Sequence, residues 1–230
     1  MKLIFVRHGA PDYANDCLTP LGVEQAEAAS LRLSKEPIKT IFSSPFGRAV
    51  QTAQPTAEKL GLPIAILDFM HEVSWAPIEE TKTLDEDPQA YHPWFFTRRM
   101  TAQGIDLSHT DYSTLECWEN STLRQCYERI AKESDEWLES LGYRRKGFGY
   151  ECIRDNEDTI ALFAHHGSGT CLFSHLLNLP VLSLFVGSEY NYTGFTVFEF
   201  TGKKGAFMIP QLRCFNDHAH LTDTSTLLMQ

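Results

Sequence analysis

Basic charge is scarce in this sequence. The 230-residue chain carries 20 lysines and arginines against 30 aspartates and glutamates, a formal net charge of −10. Nucleic acids and anionic membrane surfaces need a basic footprint on their partner, so neither is expected as the main ligand. Any anion the protein binds must be held by a local cluster. Long apolar runs are also missing; none approaches the roughly 20 residues that span a bilayer. The opening residues lack a charged segment followed by a small-residue cleavage site, and a cytoplasmic location is the expectation. The six cysteines, Cys17, Cys117, Cys126, Cys152, Cys171 and Cys214, are scattered without a CxxC pair. Reduced thiols are therefore expected, rather than a disulfide framework or a zinc site. Internal repeats and low-complexity stretches are absent as well.

The chain does have enough apolar content, 43%, to bury the core of one domain spanning residues 1–230. It opens MKLIFVRHGAPDY, where the run Leu3 to Val6 reads as a buried strand that delivers Arg7 and His8 to its carboxyl end. Thr19-Pro20 is a helix start, a hydroxyl cap followed by a proline at the first helical position. A second apolar run, Ile38 to Phe42, ends in Ser43-Ser44-Pro45, which should start a helix carrying Arg48 in its first turns. Pro55 should kink or break that helix. Ile64 to Leu67 reads as a strand followed by Glu72. The apolar face Leu123, Tyr127, Ile130, Trp137, Leu138 and Leu141 marks a helix that Gly142 ends. Thr159 to Ala164 is a further buried strand running straight into His165-His166-Gly167. Cys171 to Leu179 looks helical, and Thr196 to Phe200 with Ala206 to Ile209 look like closing strands. Alternating strands and helices imply an α/β fold: a three-layer, doubly wound, mostly parallel sheet with helices on both faces. Between Val73 and Asn120 the periodicity fails, while Trp75, Tyr91, Trp94, Phe95, Phe96, Tyr112 and Trp118 crowd together. A long irregular segment of this kind suggests an inserted, aromatic-rich lid or subdomain at about 73–120. Its aromatics are expected to form a local core rather than to line a substrate site.

Arg7, His8, Arg48, Glu72 and His165 thus fall at strand ends or helix starts, on one edge of one sheet, where open α/β sheets bind ligands. Taken singly, each has an ordinary explanation as a surface charge or a core histidine. Together they suit phosphoryl transfer. Guanidinium forks grip phosphate oxygens, a neutral imidazole can attack phosphorus, and a carboxylic acid can protonate the departing alkoxide. Such chemistry requires no metal and no cofactor.

Four ordered blocks carry a family resemblance: RHG at Arg7 to Gly9, LTPLGVEQA at Leu18 to Ala26, SSPFGRAVQTA at Ser43 to Ala53, and FAHHG at Phe163 to Gly167 followed by LLNLP. The sequence resembles the histidine phosphatase superfamily, in its phosphoglycerate mutase-like branch. Even the tail FNDHAHL is similar to the ending of bacterial members. The resemblance implies that His8 becomes phosphohistidine and that Arg7, Arg48 and His165 form the phosphate pocket. It further implies that Glu72 is the acid, with Asp12, Glu79 and Glu80 as competitors better read as solvated carboxylates. Where the family shows one histidine before glycine, this chain has two. His165, directly after the small residue that ends the strand, takes the catalytic place, and His166 becomes a neighbour on the substrate-binding rim. His218 and His220 lack a third ligand nearby and are expected to pack or cap near the carboxyl end. The expected activity is metal-independent hydrolysis of a small phosphorylated metabolite. The alternatives are a phosphoglycerate mutase using the same residues and a non-catalytic phosphate-binding or scaffolding module. APDYAND follows RHG where the family's mutases usually carry a tryptophan and an asparagine, which favours the phosphatase. The sequence leaves the oligomeric state open, a homodimer included.

Because the strand ending at Ala164 aims only one of the adjacent imidazoles at phosphorus, the two substitutions should separate. His165→Ala should lower kcat/KM by about 10²–10³ or more, the effect of one lost oxyanion donor, and His166→Ala by little. The reverse ranking in steady-state assays would shift the register by one residue.

Overall fold

The computed structural model describes residues 1–76, 78, 92–108 and 115–221. Its main sheet has the order β11-β9-β1-β8-β4-β5, formed by β1 (Lys2–Arg7), β4 (Ile38–Ser43), β5 (Ile64–Ile66), β8 (Thr159–Ala164), β9 (Phe195–Glu199) and β11 (Gln211–Asp217). β1, β8, β4 and β5 are parallel, while β9 and β11 add an antiparallel edge. The alternation of side chains along a strand explains why a continuous apolar run is needed at the centre. Leu3 and Phe5 of β1 join one core, while Ile4 and Val6 join the other. The first core lies under α5 (Thr122–Ser140), α6 (His166–Leu177) and α7 (Val181–Gly187), which contribute Ile130, Leu172 and Leu182. The second lies under α1 (Pro20–Leu33) and α2 (Gly47–Leu60), through Ala29, Leu33, Ala53 and Ala57. Helices therefore cover both faces.

The smaller elements complete the chain. β2 (Pro11–Asp12) and β3 (Cys17–Leu18) form a hairpin ahead of α1, and a 3₁₀ turn, Asp68–Met70, follows β5. α3 (Pro93–Ala102) and α4 (Glu116–Glu119) lie in the 73–120 segment, with α3 against α7. β6 (Tyr143–Lys146), β7 (Gly149–Cys152) and β10 (Phe207–Met208) make a separate antiparallel sheet. Among the described residues, no helix is long and apolar enough to cross a membrane, and the described cysteines are free thiols.

Several elements differ from the sequence expectation, each for a physical reason. α2 begins at Gly47 and not at Pro45: the Ser44 hydroxyl, paired with His165, still accepts the Phe46 N–H at 3.3 Å, while Asp16 Oδ2 from another loop accepts the Gly47 N–H at 2.7 Å. Pro55 does not break α2 into two elements; the helix continues to Leu60, and its small residues Ala49, Thr52, Ala53, Thr56 and Ala57 are buried. Packing outweighs a local penalty of about 3 kcal/mol for an interior proline. α6 begins at His166, five residues before the expected start. The strands β6, β7 and β11 have no clear period-2 signal. β6 is mostly charged, and β11 is an edge strand that pairs with β9 through register shifts at Leu212/Cys214 and Cys214/Asp217. β10 pairs with β7 and stays out of the main sheet.

Candidate active site

The site is built by strand register. β1 sets Arg7 opposite Ala164 of β8, and β4 sets Ser43 opposite Phe163. One residue further along each strand the pairing continues: His8 N–H donates to the Ala164 carbonyl at 2.9 Å, and Ser44 N–H to the Phe163 carbonyl at 2.8 Å. His8, His165 and Ser44 consequently converge at three neighbouring carboxyl ends, with the two imidazole centroids 5.1 Å apart. Gly9 is required here, since a Cβ would stand 2.6 Å from the Gly22 carbonyl oxygen at the start of α1.

His8 Nδ1 lies 2.7 Å from the Gly9 carbonyl oxygen. A carbonyl only accepts, so Nδ1 carries the proton and Nε2 keeps its lone pair. Burial, and then the charges of Arg7 and Arg48, lower the imidazole pKa to about 3. His165 Nε2 sits 2.7 Å from Ser44 Oγ, and its buried Nδ1 has no partner among the described residues. Burial, followed by His8 and the two arginines, holds His165 well below the ordinary histidine value.

Each arginine is braced by an aromatic ring and a fixed acceptor. Arg7 donates to the Tyr190 carbonyl and lies 4.3 Å over the Tyr192 ring. Arg48 pairs with Asp16 and rests 4.8 Å from the Phe46 ring centroid. Asp16 therefore both caps α2 and orients its guanidinium. The loop carrying Tyr190 and Tyr192 is tied to the site by the Thr193 N–H, which donates to the Arg7 carbonyl at 3.0 Å. The tail holds that loop in turn: His220 Nε2 is 2.9 Å from Thr193 Oγ1, and its ring stacks on Phe195 at 4.5 Å. His218 packs beside Asn191. Among the described residues no group of three or more His, Cys, Asp or Glu side chains is arranged to hold a metal ion.

Glu72 follows the 3₁₀ turn and lies across the amino end of α6. Its Oε1 accepts from Ser168 N–H at 3.0 Å and from Val73 N–H at 2.9 Å, while Oε2 accepts from Gly167 N–H at 3.4 Å. A Cβ on residue 167 would stand 2.7 Å from Glu72 Oε1, so glycine is needed there. Burial raises the Glu72 pKa, against the opposing pull of these N–H groups and of Arg7. Asp12 is elsewhere, its carboxylate taking the Ala14 N–H and the Asn15 amide in the β2–β3 turn. Glu79, Glu80, Tyr91 and Tyr112 lie outside the described residues. His166 lines the rim, its ring edge-on to Tyr190 at 4.5 Å; burial, then Arg7, lowers its pKa to about 4.

A cleft of about 410 Å³ opens from this centre. Arg7, Tyr13, Glu72 and His166 line its inner part, and Trp75, His92, Trp94 and Phe185 its walls. The inserted aromatics are thus divided: Phe96 and Trp118 are buried in the core, as expected, whereas Trp75 and Trp94 face the cleft. Sequence reasoning missed Ser44, Asp16, Tyr190 and Tyr192. Ser44 was legible only as a helix cap, and the others carry no local signal.

The model of the histidine phosphatase superfamily (branch 1) matches residues 3–210. The chain belongs to this superfamily. The fold agrees: a phosphoserine phosphatase variant from Entamoeba histolytica, in complex with phosphoserine, matches with TM-score 0.61 and 22% identity over 96% of this chain and 98% of that one. A mycobacterial glucosyl-3-phosphoglycerate phosphatase with inorganic phosphate matches with TM-score 0.63 and 21% identity over 96% of this chain and 99% of that one. No curated protein matches the sequence. Membership makes this histidine phosphatase an enzyme of phosphomonoester hydrolysis by family.

The buried imidazoles of this histidine phosphatase predict a pH dependence of stability. An unfolded histidine titrates near 6.5, while His8 and His166 in the fold titrate at about 3 and about 4. Between those values the unfolded chain binds more protons, so stability is complete above pH 6.5 and falls as the pH drops toward 4. The unfolding free energy from urea titrations should therefore decline from pH 7 to pH 5, by about 2 kcal/mol for each of these two groups. In ¹⁵N NMR the same two rings should remain neutral at pH 5. An inflection near 6.5 for either would contradict this electrostatic account.

Proposed function

We propose that this protein is a metal-independent phosphatase of a small phosphorylated metabolite, working through a phosphohistidine on His8. One observation carries the reading: His8 is held by Gly9 as the neutral Nδ1–H tautomer, with Nε2 unprotonated beside Arg7 and Arg48. Cations alone would attract many anions, but a buried, oriented nucleophilic nitrogen among them is of use chiefly for attack on an electrophile. A bound phosphoryl dianion offsets the two guanidinium charges that depress the imidazole.

In the first step Nε2 attacks phosphorus in line with the ester oxygen. The N–P bond forms as the P–O bond breaks, and the leaving alkoxide takes a proton from Glu72, whose raised pKa suits it to carry one. Arg7 and Arg48 grip the phosphoryl oxygens as their charge grows. His165 serves as a further donor if Ser44 donates to its Nε2, which leaves the proton on the unpartnered Nδ1. In the second step Glu72, now a carboxylate, takes a proton from water; the hydroxide oxygen bonds to phosphorus, the N–P bond breaks and His8 is restored. Departing alcohol and incoming water share the Glu72 side of the phosphoryl group, the side that opens to the cleft.

Rapid quench of the enzyme with labelled substrate in excess EDTA should trap an acid-labile, base-stable phosphoryl adduct, and His8→Ala should lose both the adduct and turnover. An adduct that survives in His8→Ala would move the nucleophile elsewhere.

Glu72→Gln keeps the shape and removes the proton. Phosphoenzyme formation should fall by about 10²–10⁴ with an alkyl phosphate and much less with p-nitrophenyl phosphate, whose phenolate departs unaided. Equal slowing across leaving groups, measured before the steady state, would assign Glu72 to binding alone.

A further inference from the structure

The cleft that receives the alcohol half of the substrate has a definite chemistry. It begins at Arg7 and Glu72, the phosphate and proton end, and its outer walls are Trp75, His92, Trp94 and Phe185. Trp75 and His92 stand edge to face, with centroids 4.5 Å apart, and Trp94 is 37% exposed, so an indole face is open to a ligand. Arg7 is the one cation among the described lining residues, and the proposed chemistry commits it to the phosphoryl group. Arg98 lies 4.5 Å over the Trp94 ring but does not line the cleft. His92 and His166 both titrate below the ordinary histidine value because they are buried, so at neutral pH they add no positive charge. The charged residue at the outer rim is a carboxylate, Glu189.

A leaving alcohol bearing its own carboxylate or second phosphate would find no cationic partner among the described wall residues and would face Glu189. Desolvating an anion without a partner is unfavourable, and like charges repel across a narrow cleft. An aromatic ring, by contrast, gains stacking and edge contacts from the indoles and Phe185. We infer that the substrate of this site is a phosphomonoester of an alcohol carrying an uncharged or cationic aromatic ring, seated between Trp75, Trp94 and Phe185, and not a phosphorylated carboxylic acid. The inference rests on the phosphatase reading above and deepens it.

The test compares primary alkyl phosphates, so that leaving-group acidity does not confound recognition: 2-phenylethyl and 2-(indol-3-yl)ethyl phosphate against n-butyl phosphate, phosphoserine and 3-phosphoglycerate. The aryl-ethyl esters should exceed phosphoserine and 3-phosphoglycerate in kcat/KM by at least about fivefold, the low end of one aromatic stack. Trp75→Ala and Trp94→Ala should shrink the aryl-ethyl to butyl ratio, chiefly through KM. Glu189→Gln should raise kcat/KM for the two carboxylate esters relative to butyl phosphate. Phosphoserine or 3-phosphoglycerate as the best substrate would overturn the inference and leave the phosphatase reading standing. So would tryptophan variants that slow all esters equally and weaken inhibition by inorganic phosphate alike, since that marks a structural role. Absence of phosphate release and of phosphoenzyme with every ester would overturn both.

Discussion

Parallel pairing of β1 with β8, and of β8 with β4, is the constraint on which the rest of this protein depends. The hydrogen bonds from His8 to Ala164 and from Ser44 to Phe163 extend that pairing one residue beyond the regular strands. They bring together three chain segments far apart in sequence. A slip of one residue in either strand would turn each side chain to the opposite face and send His8 or His165 into a helix layer. The buried alternation on both faces, Leu3 and Phe5 against Ile4 and Val6, resists that slip. Site geometry is thus secured by core packing, the most cooperative part of the fold.

Given that register, the electrostatics follow from burial. Two imidazoles and two guanidiniums share a buried pocket, and the protein resolves the conflict by keeping the imidazoles neutral. Glu72 is pushed the other way. Its carboxyl is buried enough for its pKa to rise, yet it is anchored by peptide N–H groups at the amino end of α6. His8 and Glu72 are therefore pushed in opposite directions by their environments, a recurrent means of setting titratable neighbours apart. Gly9 and Gly167 allow the close approaches on which both depend: a Cβ would collide with the Gly22 carbonyl oxygen at the first and with Val73 Cγ2 and Glu72 Oε1 at the second.

Around this centre lies an outer ring of supports. Asp16 ties the β2–β3 hairpin to Arg48 and to the first turn of α2. The tail, through His220 and Thr193, backs the loop that supports Arg7. The lining of the cleft beyond Glu72 includes Trp75, His92 and Trp94 of the 73–120 segment and Phe185 of α7. The sheet edge and that segment thus meet at the cleft.

By itself, the sequence determined the sheet's central strands, its parallel character and the strand-end positions of Arg7, His8 and His165. Those properties follow from short apolar runs and their bounding residues, which are local. It also marked Arg48 at the start of a helix, but placed that start two residues early; the Gly47 N–H is taken by Asp16 from another loop. Pro55 was misjudged for a related reason, since a local helix penalty was outweighed by packing of the small residues on the buried face of α2. Only the tertiary structure decided the tautomer of His8, the bracing of both arginines, the seat of Glu72 on the amino end of α6 and the division of the inserted aromatics between core and cleft. The tautomer is set by the adjacent Gly9 carbonyl once the strand end fixes the ring; the others depend on contacts between segments tens to hundreds of residues apart, and a sequence pattern carries no distance between such segments until the sheet register sets it.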